Sequence, residues 1–272
     1  MINISDDEFR LLTTFIKEHS GIHLKDEKKT LLVGRLSNML QEKGISSIME
    51  YYKLLRTETD GKELSRLIDK ITTNHTYFMR EAEHFTYLAQ HVLPMMKQTI
   101  KGNDFRIWCA ASSSGEEPYT LAMILEDTFK GEMVHWDKKL LATDLSLSIL
   151  ETAKAGKYQK EKVATLPKIW MLNYFNRIND LEFEVKPSLK KEVVYRRFNL
   201  LEPVFPFKKK FHVIFCRNVM IYFDNETKDE LINKFYDILE PGGYLFIGHS
   251  ESINREKTKF QYVRPAVYRK HE

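Results

Sequence analysis

Hydrophobic residues recur at helical spacing along the N-terminal part of the chain. Ser5 and Glu8 form an S-x-x-E capping box, which is typical of a helix start. The apolar stripe that follows consists of Phe9, Leu12, Phe15 and Ile16. Similar stripes predict further helices over residues 28–43, 48–55 and 62–71. The pattern therefore indicates an all-helical region.

A different pattern begins at Phe105, where short apolar runs alternate with helical stretches. The runs are FRIWCAA at 105–111, KLLATD at 139–144, FHVIFC at 211–216 and GGYLFIGH at 242–249. Helical stretches follow the first three runs, from near Glu116, Ser146 and Glu226. Buried strands separated by helices predict a parallel sheet that helices cover on both faces.

Two β-rich segments interrupt this alternation. Residues 181–186 and 192–198 flank the turn-prone Pro187, and we expect them to pair as an antiparallel hairpin inserted into the larger domain. The C-terminal run FQYVRPAVYRK predicts a closing antiparallel strand or pair. The expected divisions are a helical domain at 1–90 and an α/β domain at 91–272, with the β-insert at about 176–198.

The composition excludes several classes of protein. Hydrophobic residues make up 43% and charged residues 29%, which excludes wholesale disorder. The mean hydropathy is −0.41, and no run approaches the ~18 apolar residues of a membrane span. The acidic N-terminus does not resemble a signal peptide.

Cys109 and Cys216 are too far apart in sequence for a CxxC metal site and favour a reducing cytoplasm. A net charge of +4, with both signs interspersed, does not mark a nucleic-acid binder.

The loop after the first apolar run is the first candidate site. Small residues at 110–115 would let a ligand approach the backbone after the first strand of a doubly wound sheet. The loop has a single glycine, and Glu116 and Glu117 at the helix start would repel a pyrophosphate, so NAD and FAD are disfavoured. A cationic or neutral cofactor fits better. The alternative is an ordinary capped helix start, because glutamate is favoured in a first turn.

Polar residues also end the next two strands. An acid at the position of Asp144 commonly holds the ribose hydroxyls of an adenosine, although Asp144 is equally suited to cap the helix that begins near Ser146. Arg217 and Asn218 end the third run, where an open α/β sheet has its ligand crevice. Tyr222 follows them and belongs either to the site or to the core.

The segment NHTYFMRE at 74–81 combines polar side chains with two aromatic residues. The guanidinium of Arg80 offers a planar fork for a carboxylate. The alternative is a surface ion pair with Glu81 or Glu83. His75 is better explained as a hydrogen-bonded linker residue than as a metal ligand, because no second His or Cys lies at ligand spacing.

Together and in this order, these segments resemble the chemotaxis-receptor glutamate methyltransferases, the CheR-type enzymes that depend on S-adenosylmethionine. The resemblance covers essentially the whole chain. The motifs that carry it are N-x-T-x-F-x-R-E at 74–81, S-x-G-E-E-P-Y at 113–119, A-T-D at 142–144, N-L-L-E at 199–202, C-R-N-V-M-I-Y-F at 216–223 and P-G-G…G-H-S-E at 241–251. Met79 departs mildly, since many members have an aromatic residue there.

The resemblance implies a fold and a set of site residues. The fold is a helical N-terminal domain joined to a Rossmann-like class I methyltransferase domain with an inserted antiparallel β-subdomain. Contacts to S-adenosylmethionine, whose product is S-adenosylhomocysteine, would come from Asn74, Thr76, Arg80, Glu117, Asp144, Asn199, Leu200, Arg217 and Asn218. Arg80 and Tyr222 would lie near the transferred methyl group. In some members the β-subdomain grips a receptor peptide, and the sequence leaves that open here.

The implied reaction forms methyl esters on glutamate side chains of chemoreceptors, the methyl-accepting chemotaxis proteins, for sensory adaptation. A carboxylate is already ionised at neutral pH, so the reaction needs neither a general base nor a metal. The expected enzyme is a cytoplasmic monomer recruited to membrane receptor arrays, with no nucleic-acid partner and no membrane insertion. Lys28, Lys29 and Arg35 on the predicted second helix form a candidate basic stripe for the receptor's acidic helical bundle, unless they are only a solvated helix face.

Two other functions compete with this one. A methyltransferase for nucleic acid or small molecules is disfavoured, because the chain lacks an N/D-P-P-Y motif and a strong basic stripe. A non-catalytic module that only binds S-adenosylmethionine would be attractive if Arg80, Asp144 or Tyr222 were lost, and all three are present.

Overall fold

The N-terminal helices form as their apolar stripes predict. The computed structural model describes residues 4–72, 75–133 and 135–272. The first four helices are α1 (Asp6–Ser20), α2 (Lys29–Glu42), α3 (Ile48–Thr57) and α4 (Lys62–Ile71). The predicted capping box is confirmed, since Ser5 Oγ accepts from the Glu8 N–H at 3.2 Å and Glu8 Oε2 accepts from the Ser5 N–H at 2.8 Å. The buried faces of these helices pack into one hydrophobic core.

The remaining helices lie around two sheets. They are α5 (Ala82–Tyr87), α6 (Leu93–Thr99), α7 (Glu116–Phe129), α8 (Leu147–Ala155), α9 (Lys160–Val163), α10 (Lys168–Tyr174), α11 (Pro187–Lys190) and α12 (Asn225–Ile238). The strands are β1 (Ile107–Cys109), β2 (Leu140–Asp144), β3 (Lys157–Gln159), β4 (Phe175–Arg177), β5 (Glu182–Val185), β6 (Val193–Arg197), β7 (Phe211–Cys216), β8 (Leu239–Ile247), β9 (Gln261–Arg264) and β10 (Val267–Arg269). Within the described ranges, no helix has both the length and the apolar character needed to cross a membrane.

The predicted parallel sheet is confirmed. Its strand order is β6-β2-β1-β7-β8-β10-β9, and the strands from β6 to β8 are parallel. The predicted C-terminal pair is also confirmed, because β10 runs antiparallel to both β8 and β9. Strand order reverses between β1 and β7, where Cys109 lies opposite Phe215. In an open α/β sheet the ligand crevice lies at this switch point, outside the carboxyl ends of the strands.

The predicted hairpin between residues 181–186 and 192–198 is wrong. Strand β5 pairs instead with β3 and β4 in a separate three-stranded antiparallel sheet, whereas β6 pairs in parallel with β2 at the edge of the main sheet. Pro187 begins the short helix α11 instead of a tight turn, and this helix carries the chain from one sheet to the other. The three-stranded sheet, which we call the inserted sheet, therefore spans β3 to β5 and does not reach residue 198.

The hydrophobic cores divide earlier than residue 90. Ile68 and Ile71 pack in the core of the helical part. Phe85 and Leu93, on helices that follow, pack instead in the core of the main sheet. We therefore propose the junction between the two parts at about residues 72–78.

Candidate active site

A cavity opens at the switch point of the main sheet, beyond the carboxyl ends of β1, β2 and β7. It measures about 130 Å³, far more than the ~10–15 Å³ that one water molecule needs. Ser20, Ile22 and Ile68 of the helical part contribute to its wall. The cavity therefore lies between the helical part and the sheet.

The cavity brings together the residues that the sequence singled out. Those that line it are Thr76, Arg80, Glu117, Asp144, Asn199, Leu200, Arg217, Asn218 and Tyr222. Asn74 lies outside the described residues. Sequence reasoning assigned no ligand contact to the lining residues Ser113, Ser146 and Phe198. Each of the three lies within or beside a segment that the sequence analysis did discuss. That proximity in sequence is the signal that could have found them.

Asp144 ends β2 and joins the loop after β1. Its Oδ2 accepts from the Ser113 N–H at 2.9 Å, and its Oδ1 accepts from the Ser146 N–H at 3.1 Å. The capping alternative for Asp144 is wrong, because Ser146 itself caps α8 by accepting from the Ile149 N–H. Burial raises the pKa of Asp144, and the backbone N–H donors oppose that rise. A carboxylate oxygen accepts more than one hydrogen bond, so Asp144 retains acceptor capacity towards the cavity.

Glu117 and Arg217 form an ion pair on the wall of the cavity. Arg217 Nη1 lies 2.7 Å from Glu117 Oε2, while Glu117 Oε1 accepts from the Cys109 thiol at 3.2 Å. The Arg217 side chain is 1% exposed. Burial raises the pKa of Glu117, and the Arg217 guanidinium opposes that rise. Two of the predicted site residues therefore also bind each other.

Glu81 belongs to the same network, although sequence reasoning used it only as a motif letter and as an alternative surface partner of Arg80. Its Oε2 accepts from Arg217 Nη2 at 3.0 Å and from the His249 N–H at 3.1 Å, and its Oε1 accepts from Asn218 Nδ2 at 3.1 Å. Burial acts to raise the pKa of Glu81, but the Arg217 guanidinium and the hydrogen-bond donors outweigh it and lower the pKa. The Arg-Glu pair that ends the first motif was the sequence signal that could have identified Glu81.

Glu251, from the last motif, fixes the turn after β7. Its Oε2 accepts from the N–H groups of Asn218 at 3.0 Å and Gly248 at 2.6 Å. Asn218 has a φ of 57°, a left-handed conformation that asparagine tolerates better than most residues. The Glu251 carboxylate therefore stabilises a backbone turn whose side chains face the cavity.

Arg80 reaches the cavity from the segment between the two parts. Its Nη1 donates to the His75 carbonyl at 2.7 Å, and its guanidinium lies 6.0 Å from the centre of the Tyr77 ring. Over the described residues, its ion pair with Glu81 or Glu83 does not form. The guanidinium therefore retains donors for a ligand.

Tyr222 and Asn199 connect the helical part to the sheet. The Tyr222 carbonyl accepts from the His23 N–H at 2.7 Å, and its side chain packs against the cores of both parts. Asn199 Nδ2 donates to the His19 carbonyl at 2.8 Å. Leu200, next to it, is buried in the core of the main sheet. These contacts hold the helical part over the cavity.

One group of potential metal ligands occurs among the described residues. Ligand atoms of Glu81, His84 and His249 lie within 4.8 Å of one another. The Glu81 oxygens already accept three N–H groups, which leaves little capacity for a cation. Burial and the nearby Arg217 charge lower the pKa of His84 to about 3, so its ring is neutral. Glu81 and the His249 N–H belong to the polar network around Arg217, whereas neither ring nitrogen of His84 has a hydrogen-bond partner among the described residues.

Of the three basic residues predicted on the second helix, Lys29 and Arg35 lie in α2, whereas Lys28 ends the short 3₁₀ helix Asp26–Lys28 that precedes it. Lys29 Nζ lies 2.6 Å from Asp6 Oδ1. Arg35 Nη1 donates at 2.5 Å to the carbonyl of Ile71, the last residue of α4. Lys28 is exposed. The predicted stripe is therefore divided between one exposed cation and two that make contacts within the helical part.

Comparison with known proteins gives matches to both parts. The model for the CheR methyltransferase SAM binding domain matches residues 74–268, and the model for the CheR methyltransferase all-alpha domain matches residues 7–72. A chemotaxis protein methyltransferase of Borreliella burgdorferi is 44% identical over 99% of this chain and 96% of that protein. The Escherichia coli chemotaxis protein methyltransferase is 35% identical over 97% of this chain and 91% of that protein. A third relative, chemotaxis protein methyltransferase 1 of Pseudomonas aeruginosa, is 34% identical over 97% and 96%.

Proposed function

Because the chain belongs to the CheR methyltransferase family, we propose that it methylates glutamate side-chain carboxylates of chemoreceptors. Its cofactor is S-adenosylmethionine, and the product left after transfer is S-adenosylhomocysteine. The observation that carries the proposal is the convergence of Arg80, Glu117 and Asp144 on one cavity at the switch point of the sheet. The ester product and the receptor substrate are the parts that need a direct test.

The chemistry of the cavity residues fits this cofactor. S-adenosylmethionine carries a positive sulfonium, an amino-acid group and two ribose hydroxyls. The cavity offers the carboxylates of Asp144 and Glu117 for the hydroxyls and the positive groups, and the guanidinium of Arg80 for a carboxylate. Ala110 and Ala111 line the cavity beside them and let a ligand approach the backbone. We find no mismatch between these groups and the cofactor.

Each side chain receives a specific role in the proposal. Asp144 accepts from the ribose hydroxyls, and Glu117 lies towards the positive groups. Arg217 acts through Glu117, because it holds that carboxylate in place. The remaining contacts are assigned to Thr76, Asn199, Leu200 and Asn218, with Asn74 added from the family motif.

The reacting groups need alignment more than proton transfer. When bound, the cofactor would supply a methyl group on a sulfonium; an oxygen of the glutamate carboxylate would bond to the methyl carbon as the S–CH3 bond breaks, and S-adenosylhomocysteine would leave as a neutral thioether. Glutamate is ionised at neutral pH and attacks without a general base. Arg80 holds one oxygen of a carboxylate in its planar fork, and Tyr222 bounds the space for the methyl group. Holding the two groups in line lowers the barrier, because the entropy of bringing them together is lost on binding and not in the chemical step.

The partner follows from the substrate. A chemoreceptor presents its glutamates on an acidic helical bundle, and the exposed Lys28, immediately before α2, offers a positive charge to it. In this proposal the enzyme acts as a monomer at membrane-bound receptor arrays, from their cytoplasmic side. A nucleic acid is not among the proposed substrates.

Transfer of radiolabelled methyl groups from S-adenosylmethionine to receptor-containing membranes tests the proposal. Label should appear on the receptor and should be released by mild base, as an ester is and an N-methyl group is not. The variant Asp144→Ala should transfer much less label, whereas Asp237→Ala, an exposed change on α12, should transfer it normally. Label that survives mild base would require another acceptor. Cofactor binding without any transfer would favour a regulatory module.

A further inference from the structure

Tyr158, on strand β3 of the inserted sheet, contacts two segments that contribute residues to the cavity. Its hydroxyl donates to the carbonyl of Ser114 at 2.8 Å. Its ring packs edge-on against Phe78, with the ring centres 4.9 Å apart. Ser114 belongs to the loop after β1, while Phe78 lies between the cavity residues Thr76 and Arg80. One buried side chain thus joins two segments that are distant in sequence.

The loop after β1 packs directly against the inserted sheet. Gly115 has a φ of 96°, and a Cβ at this position would lie 2.8 Å from the Tyr158 hydroxyl. The same Cβ would lie 3.0 Å from the Tyr195 hydroxyl. Only glycine accommodates both this conformation and this approach. The backbone therefore rests directly on the hydroxyl that it binds.

Lys162, on helix α9, makes a second connection to the same loop. Its Nζ lies 2.7 Å from Oε1 of Glu116, whose side chain is 0% exposed. Glu116 Oε2 accepts from the Ser114 hydroxyl at 2.6 Å. A buried carboxylate needs such partners, because an unpaired buried charge is strongly destabilising. The start of α7, which carries Glu117, is therefore held from the inserted sheet.

We propose that Tyr158 and Lys162 are positioning residues, through which the inserted sheet sets the shape of the cofactor cavity. They act on the cavity indirectly, because they bind Ser114 and Glu116 while the adjacent Ser113 and Glu117 line it. A shift of the inserted sheet therefore changes cofactor affinity. The inference rests on the proposed assignment of the cofactor to this cavity.

Removing the Tyr158 hydroxyl isolates the contribution of its hydrogen bond to cofactor affinity. Tyr158→Phe keeps the ring against Phe78 but leaves the Ser114 carbonyl buried without its donor, a loss that folded proteins relieve by local movement. Such movement shifts Ser113 and Glu117. We expect S-adenosylhomocysteine to bind about tenfold more weakly, measured by calorimetry well below the unfolding temperature.

Tyr195→Phe is the matched control. Its hydroxyl lies 3.0 Å from the same Cβ position of Gly115 and the residue is buried, yet within the described residues it forms no hydrogen bond to the loop after β1. The control should bind S-adenosylhomocysteine within about twofold of the wild type. A merely structural role would instead lower the unfolding temperature of Tyr158→Phe and leave its affinity unchanged, and that result would overturn the proposal.

Lys162→Met gives an independent measurement if Tyr158→Phe does not fold. It should weaken binding in the same direction, whereas Lys160→Met, an exposed change on the same helix, should not. Asp144→Ala separates this inference from the site assignment. If Asp144→Ala weakens binding while Tyr158→Phe and Lys162→Met bind normally, only the positioning role fails. If Asp144→Ala also binds normally, the cavity itself has been assigned wrongly.

Discussion

Arg217 and Glu117 join the two strands at the switch point of the sheet. Their closest atoms, Nη1 and Oε2, lie 2.7 Å apart, and the two side chains are only 1% and 13% exposed. Arg217 follows β7, whereas Glu117 lies in the first turn of the helix after β1. The second nitrogen of the same guanidinium binds Glu81. One buried cation therefore holds two carboxylates beside the cavity.

Arg217→Met should destabilise the protein strongly. The change keeps much of the apolar volume but leaves two carboxylates without their buried partner, a loss of about 3–5 kcal/mol when one member of a buried pair is removed. Urea unfolding measures this loss in the free energy of unfolding. Arg177→Met is the control, because Arg177 and its partner Asp180 are 62% and 88% exposed, and its effect should stay within about 0.5 kcal/mol. Equal midpoints for the two variants would contradict the structural role of Arg217.

His212 should make stability fall in mild acid. Its Nδ1 accepts from the Arg106 N–H at 3.0 Å, which only a neutral ring does. Burial and the nearby Arg106 charge lower its pKa from 6.5 to about 4. Between pH 4 and pH 6.5, His212 is therefore protonated in the unfolded chain but neutral in the folded chain. Stability is therefore full above pH 6.5 and declines as the pH falls towards 4, by at most about 3 kcal/mol.

His212→Asn tests this origin of the pH dependence. Asparagine places an oxygen where Nδ1 lies and does not titrate, so unfolding curves between pH 4 and 6.5 should show a shallower decline. His271→Asn, at an exposed position near the C-terminus, should keep the wild-type profile. A His212→Asn protein with an unchanged profile would assign the acid sensitivity to other groups, such as His84.

Local patterns predicted the helices well, because the interactions that define them lie within a few residues. The capping box of Ser5 and Glu8 spans a single turn, and α4 formed over the expected residues 62–71. The hairpin failed because the strand propensity of 181–186 and 192–198 does not specify a pairing partner. Burial against the edge of the main sheet decides that partner, and sequence alone does not show the edge.

The candidate site also divides into features that local sequence predicts and features that depend on distant contacts. The position of Asp144 at a strand end predicted its place in the cavity, because the carboxyl ends of parallel strands converge. The contact of Glu81 with the His249 N–H joins residues 168 positions apart, and nothing local to either indicates it. Tyr158 was missed for another reason, since it acts through a backbone carbonyl that carries no sequence signature.

Arg80→Ala should lower turnover more than it lowers affinity for S-adenosylhomocysteine. Losing a charged hydrogen bond to the reacting carboxylate costs about 1.5–3 kcal/mol, which corresponds to a rate about 10–150-fold lower. Methylation rates and calorimetry on the same preparation separate the two effects. Arg56→Ala, at an exposed position on α3, is the control. An equal loss in both measurements would mean that Arg80 binds the carboxylate of the cofactor instead.

Substitutions of Lys28, Lys29 and Arg35, in and next to α2, should have two kinds of effect. Arg35 donates to the last carbonyl of α4, so Arg35→Ala removes a partner of a helix end and should lower the free energy of unfolding by about 1 kcal/mol. Lys29 is paired with Asp6. Lys28 is therefore the residue whose charge is most available to a partner.

Lys28→Glu should raise the apparent KM for receptor and leave cofactor affinity unchanged. A charge at the rim of an interface acts mainly on encounter, and its effect weakens as salt shortens the Debye length to ~8 Å at physiological ionic strength. Wild-type methylation at sub-saturating receptor should accordingly fall as salt rises, with a smaller fall for Lys28→Glu. Lys154→Glu, on α8 of the other part, serves as the charge-matched control. If both reversals leave the KM and its salt dependence as in the wild type, α2 does not contact the receptor and Lys28 belongs to a solvated face.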